Sequence, residues 1–130
     1  MKKITATVSY SGPIERTLDA ISSAGFDSVE LLFSDVDSYS GTNAQLKTLC
    51  ADLGLEIIAI QPLRSFEGAQ NWSEKIDEAH RTFDVMQELG SDLTVLCSNV
   101  APECQFEPTL WIYQLRHLSD VAQEHGIKIG

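Results

Sequence analysis

Four segments of the chain share one pattern: the tail of a helix, a glycine, then an apolar run. They read AISSAGFDSVELLF, LCADLGLEIIAI, VMQELGSDLTVLC and VAQEHGIKIG. Their glycines, Gly25, Gly54, Gly90 and Gly126, are spaced by 29, 36 and 36 residues. Glycine just past a helix suits a left-handed cap, where a side chain meets steric strain. A helix-then-strand unit repeated at this interval implies βα units feeding a parallel sheet.

The segments between these glycines agree. Pro13 stands where the first turn of a helix accepts proline. Ile14, Leu18 and Ile21 then fall on one helical face. Leu46, Leu49, Cys50 and Leu53 do so in a second helix, and Ile76, Ala79, Phe83 and Met86 in a third. Trp111, Leu115, Leu118 and Ala122 are expected to do so in a fourth. Each helix is apolar on one side only, so each should lie on a sheet. Strands are expected over Ile4–Ser9, Ser28–Phe33, Leu55–Gln61 and Leu93–Cys97, with a fifth starting at Ile127. They are short and mostly apolar, as strands covered on both faces are.

Two folds accommodate this order: an open doubly wound sheet, or part of a (β/α)8 barrel. A dinucleotide-binding sheet would carry GxGxxG after its first strand, and SYSGPIER holds one glycine. The 130 residues suit one domain. A barrel needs about 250 residues, roughly twice this length. The chain also stops within the fifth expected strand. The expected fold is therefore α/β: the N-terminal half of a (β/α)8 TIM barrel with parallel strands. It comprises four βα units and the start of strand five, with residues 1–130 as one partial domain truncated there.

The formal net charge of −10 repels phosphate backbones and argues against nucleic acid as a partner. It does not exclude a small anion, because a local arginine can outweigh the global field. No apolar run reaches the roughly 18 residues of a membrane span. The start, Met1-Lys2-Lys3-Ile4, lacks the apolar stretch of a signal peptide, so a cytoplasmic location is expected. Cys50, Cys97 and Cys104 are odd in number and irregular in spacing, which argues against a disulfide framework. There is no CxxC or HExxH, and His80, His117 and His125 stand alone, so no zinc site is expected.

In barrels and parallel sheets alike, sites lie at the C-terminal ends of strands. That rule selects Ser9, Tyr10 and Ser11 after strand one, and Glu30 and Asp35 in or beyond strand two. It selects Gln61, Arg64, Phe66 and Glu67 after strand three, and Ser98 and Asn99 after strand four. Glu30, a charge within VELLF, is either a ligand contact or acid/base group, or a paired structural carboxylate. Arg64 could clamp a carboxylate through two parallel bonds; otherwise it is a solvated loop residue or pairs with Glu67. Phe66 is a pocket wall or a loop anchor. Ser98 and Asn99 position a ligand or cap the turn. Cys97 reads as a strand residue, since no histidine partner is suggested.

Three stretches together, QPLRSFEG, GFDSVELLFSD and RTFDVMQELGSDLTVLCSNV, resemble the 3-dehydroshikimate dehydratases of quinate and shikimate breakdown. That family belongs to the xylose-isomerase-like barrels. The resemblance implies a lyase that converts 3-dehydroshikimate to protocatechuate and water. It also implies a divalent metal, Mg²⁺, Mn²⁺ or Co²⁺, with ligands at the ends of later strands, beyond Gly130. In this chain it implies substrate-side groups: Arg64 as the carboxylate clamp, Gln61, Phe66, Ser98 and Asn99 nearby, and Glu30. The chain alone is then expected to lack activity and to associate through its open edges. Rival readings are a sugar-phosphate isomerase or epimerase on the same barrel, and a non-catalytic half-barrel binding module.

Overall fold

A computed structural model describes residues 1–130. Its elements, in chain order, are β1 (Ile4–Ala6), α1 (Ile14–Ser23), β2 (Ser28–Leu32), α2 (Phe33–Ser38), α3 (Asn43–Asp52), β3 (Glu56–Gln61), β4 (Leu63–Arg64), α4 (Trp72–Leu89), β5 (Leu93–Thr94), β6 (Leu96–Cys97), α5 (Pro108–Glu124) and β7 (Lys128–Ile129). All strand pairs are parallel: β1 with β2, β2 with β3, β4 with β6, and β5 with β7. The pieces join into one surface. Pro62 separates β3 from β4, Val95 separates β5 from β6, and the Leu63 amide donates to the Val95 carbonyl at 2.8 Å. The result is an open run of parallel strands, in chain order, with helices on one side. It is a partial barrel that does not close.

The four repeated glycines stand as expected. Gly25, Gly54, Gly90 and Gly126 have φ of 78°, 69°, 80° and 70°, a region that disfavours residues with a Cβ. The predicted helix faces also hold in the first three long helices. Ile14, Leu18 and Ile21 are buried; so are Leu46 and Cys50, and so are Ala79, Phe83 and Met86. They meet Val29, Leu31, Ile60 and Leu63 from the strands. Burying each large side chain contributes roughly 1.5–3 kcal/mol. No helix is long and apolar enough to cross a membrane.

Four expectations are corrected. The first strand ends at Ala6, not Ser9, and Thr7–Ser9 form a tight 3-10 turn. The cause is Thr7: it is buried, its Oγ1 accepts from the Leu32 amide at 2.8 Å, and its carbonyl closes the turn on Tyr10 at 3.0 Å. The second strand ends at Leu32, because Phe33 opens the short helix α2, whose Val36 enters the core. The third and fourth strands are each split, at Pro62, which has no amide hydrogen to give a ladder, and at Val95. In the last helix the packed face is Gln114, Leu118, Val121 and Ala122, while Leu115 is 37% exposed. Leu115 instead faces a groove beside β7 with Leu96, Ile127 and Ile129.

Candidate functional site

Strand alternation sorts the residues at the mouth of the half-barrel. Val29, Leu31, Ile60 and Leu63 point into the helix-side core, with at most 1% exposure. Glu30, Leu32, Gln61 and Arg64, their neighbours in the chain, therefore face the open concave side. The register confirms the grouping: Leu32 lies opposite Gln61, and Arg64 opposite Cys97.

Two of the expected residues meet directly. Gln61 Nε2 donates to Glu30 Oε2 at 2.6 Å, a charge-assisted bond between half-buried groups. Glu30 is thus a paired carboxylate that also orients Gln61. Arg64 is exposed and enters no ion pair; the alternative of a bridge to Glu67 is absent. Ser98 is exposed beyond β6, one residue from Cys97 and so close to Arg64 across the ladder.

Phe66 and Asn99 serve the loops. Phe66 is 0% exposed, edge-on to Trp72 at 6.3 Å, with the Lys75 ammonium 4.5 Å from its ring centre. It anchors the loop in the core and offers no surface to a ligand. Asn99 is 8% exposed, and its amide nitrogen and both side-chain polar atoms are engaged. Its backbone amide donates to Glu67 Oε1 at 2.5 Å, its Nδ2 to the Glu67 carbonyl at 2.8 Å, and its Oδ1 accepts from the Ala101 amide at 3.0 Å. The two mouth loops so joined border a cleft of about 400 Å³, with Ser65 and Asn99 on its wall.

Sequence reasoning missed Gln114. This buried amide accepts from the Gly68 amide at 2.7 Å and donates to the Ala69 carbonyl at 2.9 Å. Its signal was available: a polar residue four before Leu118 interrupts an apolar helical face. The histidines lie on the helix layer. His117 Nδ1 accepts from Trp72 Nε1 at 3.1 Å, and His80 Nδ1 sits 3.0 Å from His125 Nε2. No three His, Cys, Asp or Glu side chains converge in these 130 residues.

Parallel βα units, glycine-capped helices and polar groups at strand ends define a piece of a (β/α)8 barrel. The family model described as xylose isomerase-like TIM barrel matches residues 18–130, and this chain belongs to that family. It is similar to a protein of Pseudomonas aeruginosa named 3-dehydroshikimate dehydratase, with 46% identity over the whole chain. A solved fusion protein of a xylose isomerase-like TIM barrel with a 4-hydroxyphenylpyruvate dioxygenase superposes with a TM-score of 0.92 at 42% identity, again over the whole chain. The chain spans 21% of each of these two proteins. A xylose isomerase domain protein from Salmonella typhimurium gives a TM-score of 0.82 at 20% identity; the match covers 98% of this chain and 47% of that one. That likeness is one of fold.

Proposed function

We propose that this chain is the substrate-side half of a 3-dehydroshikimate dehydratase barrel, in a protein that turns 3-dehydroshikimate into protocatechuate and water. The observation that carries the reading is the 46% identity, end to end, to a relative bearing that name. The geometry is consistent with it. 3-Dehydroshikimate is a carboxylate, and Arg64 is an unpaired guanidinium at the concave mouth. Beside it, the Glu30–Gln61 pair and Ser98 offer hydrogen-bonding groups to a polyhydroxylated ring. Fixing the carboxylate there would orient the ring for loss of an α-proton and then of hydroxide. The divalent metal implied by the resemblance, Mg²⁺, Mn²⁺ or Co²⁺, would polarise the ketone. On this reading its ligands lie outside these 130 residues, and the location is the cytoplasm.

The test joins this chain to the part of the Pseudomonas aeruginosa relative that follows the matched segment. Turnover is followed by the ultraviolet absorbance of the aromatic product. Arg64→Ala should raise KM roughly tenfold to a hundredfold with kcat little changed, the loss expected for one charged hydrogen-bonding partner. An unaltered KM would remove Arg64 from the site. A parent protein inert towards 3-dehydroshikimate but active on a sugar would overturn the dehydratase reading.

A further inference from the structure

We infer that Glu67 and Asn99 are positioning residues that fix where Arg64 stands. The inference rests on the reading of Arg64 as the carboxylate-binding group.

The backbone ladder between β4 and β6 ends at the pair Arg64–Cys97. Just beyond it Ser65 takes φ 60°, uncommon for a residue with a side chain, and turns the chain so that Phe66 enters the core. The ladder would stop there. Instead, the Glu67 carboxylate takes the place of a backbone acceptor and receives the Asn99 amide, while Asn99 Nδ2 returns a bond to the Glu67 carbonyl. Each residue binds the other's backbone. Glu67 and Asn99 are only 7% and 8% exposed, so water competes weakly and the bonds are correspondingly firm. On the far side, Gln114 holds the Gly68 amide and the Ala69 carbonyl. The backbone of Arg64 thus forms the last rung of the ladder, and a two-residue clasp closes the loop just beyond it. An arginine fork recognises a carboxylate by geometry, and geometry begins at the backbone.

Glu67 also supplies its own control. Oε1 accepts from Asn99, but the buried Oε2 has no partner. Glu67→Gln can keep the Asn99 bond through its Oε1 while it loses the charge and places an NH2 where Oε2 stood. Glu67→Ala removes the acceptor and leaves the Asn99 amide without one.

The experiment compares KM and kcat for 3-dehydroshikimate in the joined protein described above, for parent, Arg64→Ala, Glu67→Gln, Glu67→Ala and the Arg64→Ala/Glu67→Ala double variant. Glu67→Ala should raise KM about tenfold with kcat held, as displacement of a binding group does. Glu67→Gln should stay near the parent, and the double variant should be no worse than Arg64→Ala alone. Asn99→Ala, which keeps the backbone bond to Glu67 but loses the Nδ2 bond to the Glu67 carbonyl and the Oδ1 bond from the Ala101 amide, should show a smaller rise. Amide exchange in the same proteins checks folding: the Asn99 amide should open in Glu67→Ala while the Phe83 amide on α4 stays protected. If Glu67→Ala fails to fold, Asn99→Ala and Glu67→Gln decide. KM unchanged in Asn99→Ala, or raised in Glu67→Gln, would overturn the inference. Multiplying effects in the double variant would do the same. If Arg64→Ala raises KM and Glu67→Ala does not, the clasp fails alone; if Arg64→Ala has no effect, both readings fall.

Discussion

Gly68 has almost no room for a side chain. A Cβ added there would lie 2.6 Å from Cys104 Sγ, 2.7 Å from the Gln105 carbonyl oxygen and 2.9 Å from Trp111 Nε1, at φ 72°. Gly54 has nearly the same φ, 69°, and nothing within 4 Å. The pair separates backbone strain from crowding. Gly54→Ala should lose about 1–2 kcal/mol, the left-handed penalty alone. Gly68→Ala should lose a further 1–3 kcal/mol, roughly, from overpacking. Urea unfolding of the two variants checks this, and equal losses would contradict the packing around Gly68. The thiols give a second measurement. Burial pushes Cys50 up to about 11. Burial, then the charges of Glu67 and Glu103, raise Cys104. Because the thiolate is the reactive form, a disulfide reagent near neutral pH should label Cys97 in the folded protein. It should reach Cys50 and Cys104 only on unfolding. What the sequence disclosed about residues follows the same division. Gly54 was readable because its constraint is local. The roles of Glu67, Asn99 and Gln114 were not, because their bonds reach partners 32 to 46 residues away.

Among the elements, α5 depends most on one side chain for its start. Glu107 accepts from the Thr109 amide at 3.1 Å and the Leu110 amide at 2.6 Å, and Pro108 follows in the first turn. These backbone bonds, Leu110 before Thr109, hold its carboxyl below the usual 4.5. An acid depressed in the folded state stabilises it above the unfolded value, and the stabilisation is lost as pH falls through the lowered one. The N-terminal turn of α5 should therefore loosen as pH drops below about 4.5, with the Thr109 and Leu110 amide shifts tracking the Glu107 titration. Glu107→Gln should flatten that dependence; a pH response surviving the substitution would assign it elsewhere. Helices were easier to read than strands for a physical reason. The 3.6-residue period of α1, α3, α4 and α5 repeats over ten or more positions, whereas the strands here are runs of two to six residues broken at Pro62 and Val95, and the six-residue α2 is too short to show a period. Leu115 is the instructive exception, since an apolar residue at helical spacing can face an uncovered groove as well as a core.

For the whole molecule, β1 and β7 are each paired on one side only, and the groove next to β7 exposes part of Leu115. Unpaired strand edges template association, while a net charge of −10 opposes it and is screened by salt. We propose that the isolated chain self-associates and does so more strongly as salt rises. Sedimentation at increasing protein and salt concentration reads this directly, and a monomer throughout would count against open edges as the governing feature.

The two bonds from Gln114 carry a mechanical consequence. They make the helix layer and the mouth loop a single lever: α5 cannot slide without dragging Gly68 and Ala69 along. The rim is therefore seated from behind, through one amide side chain, as well as from the strands in front of it.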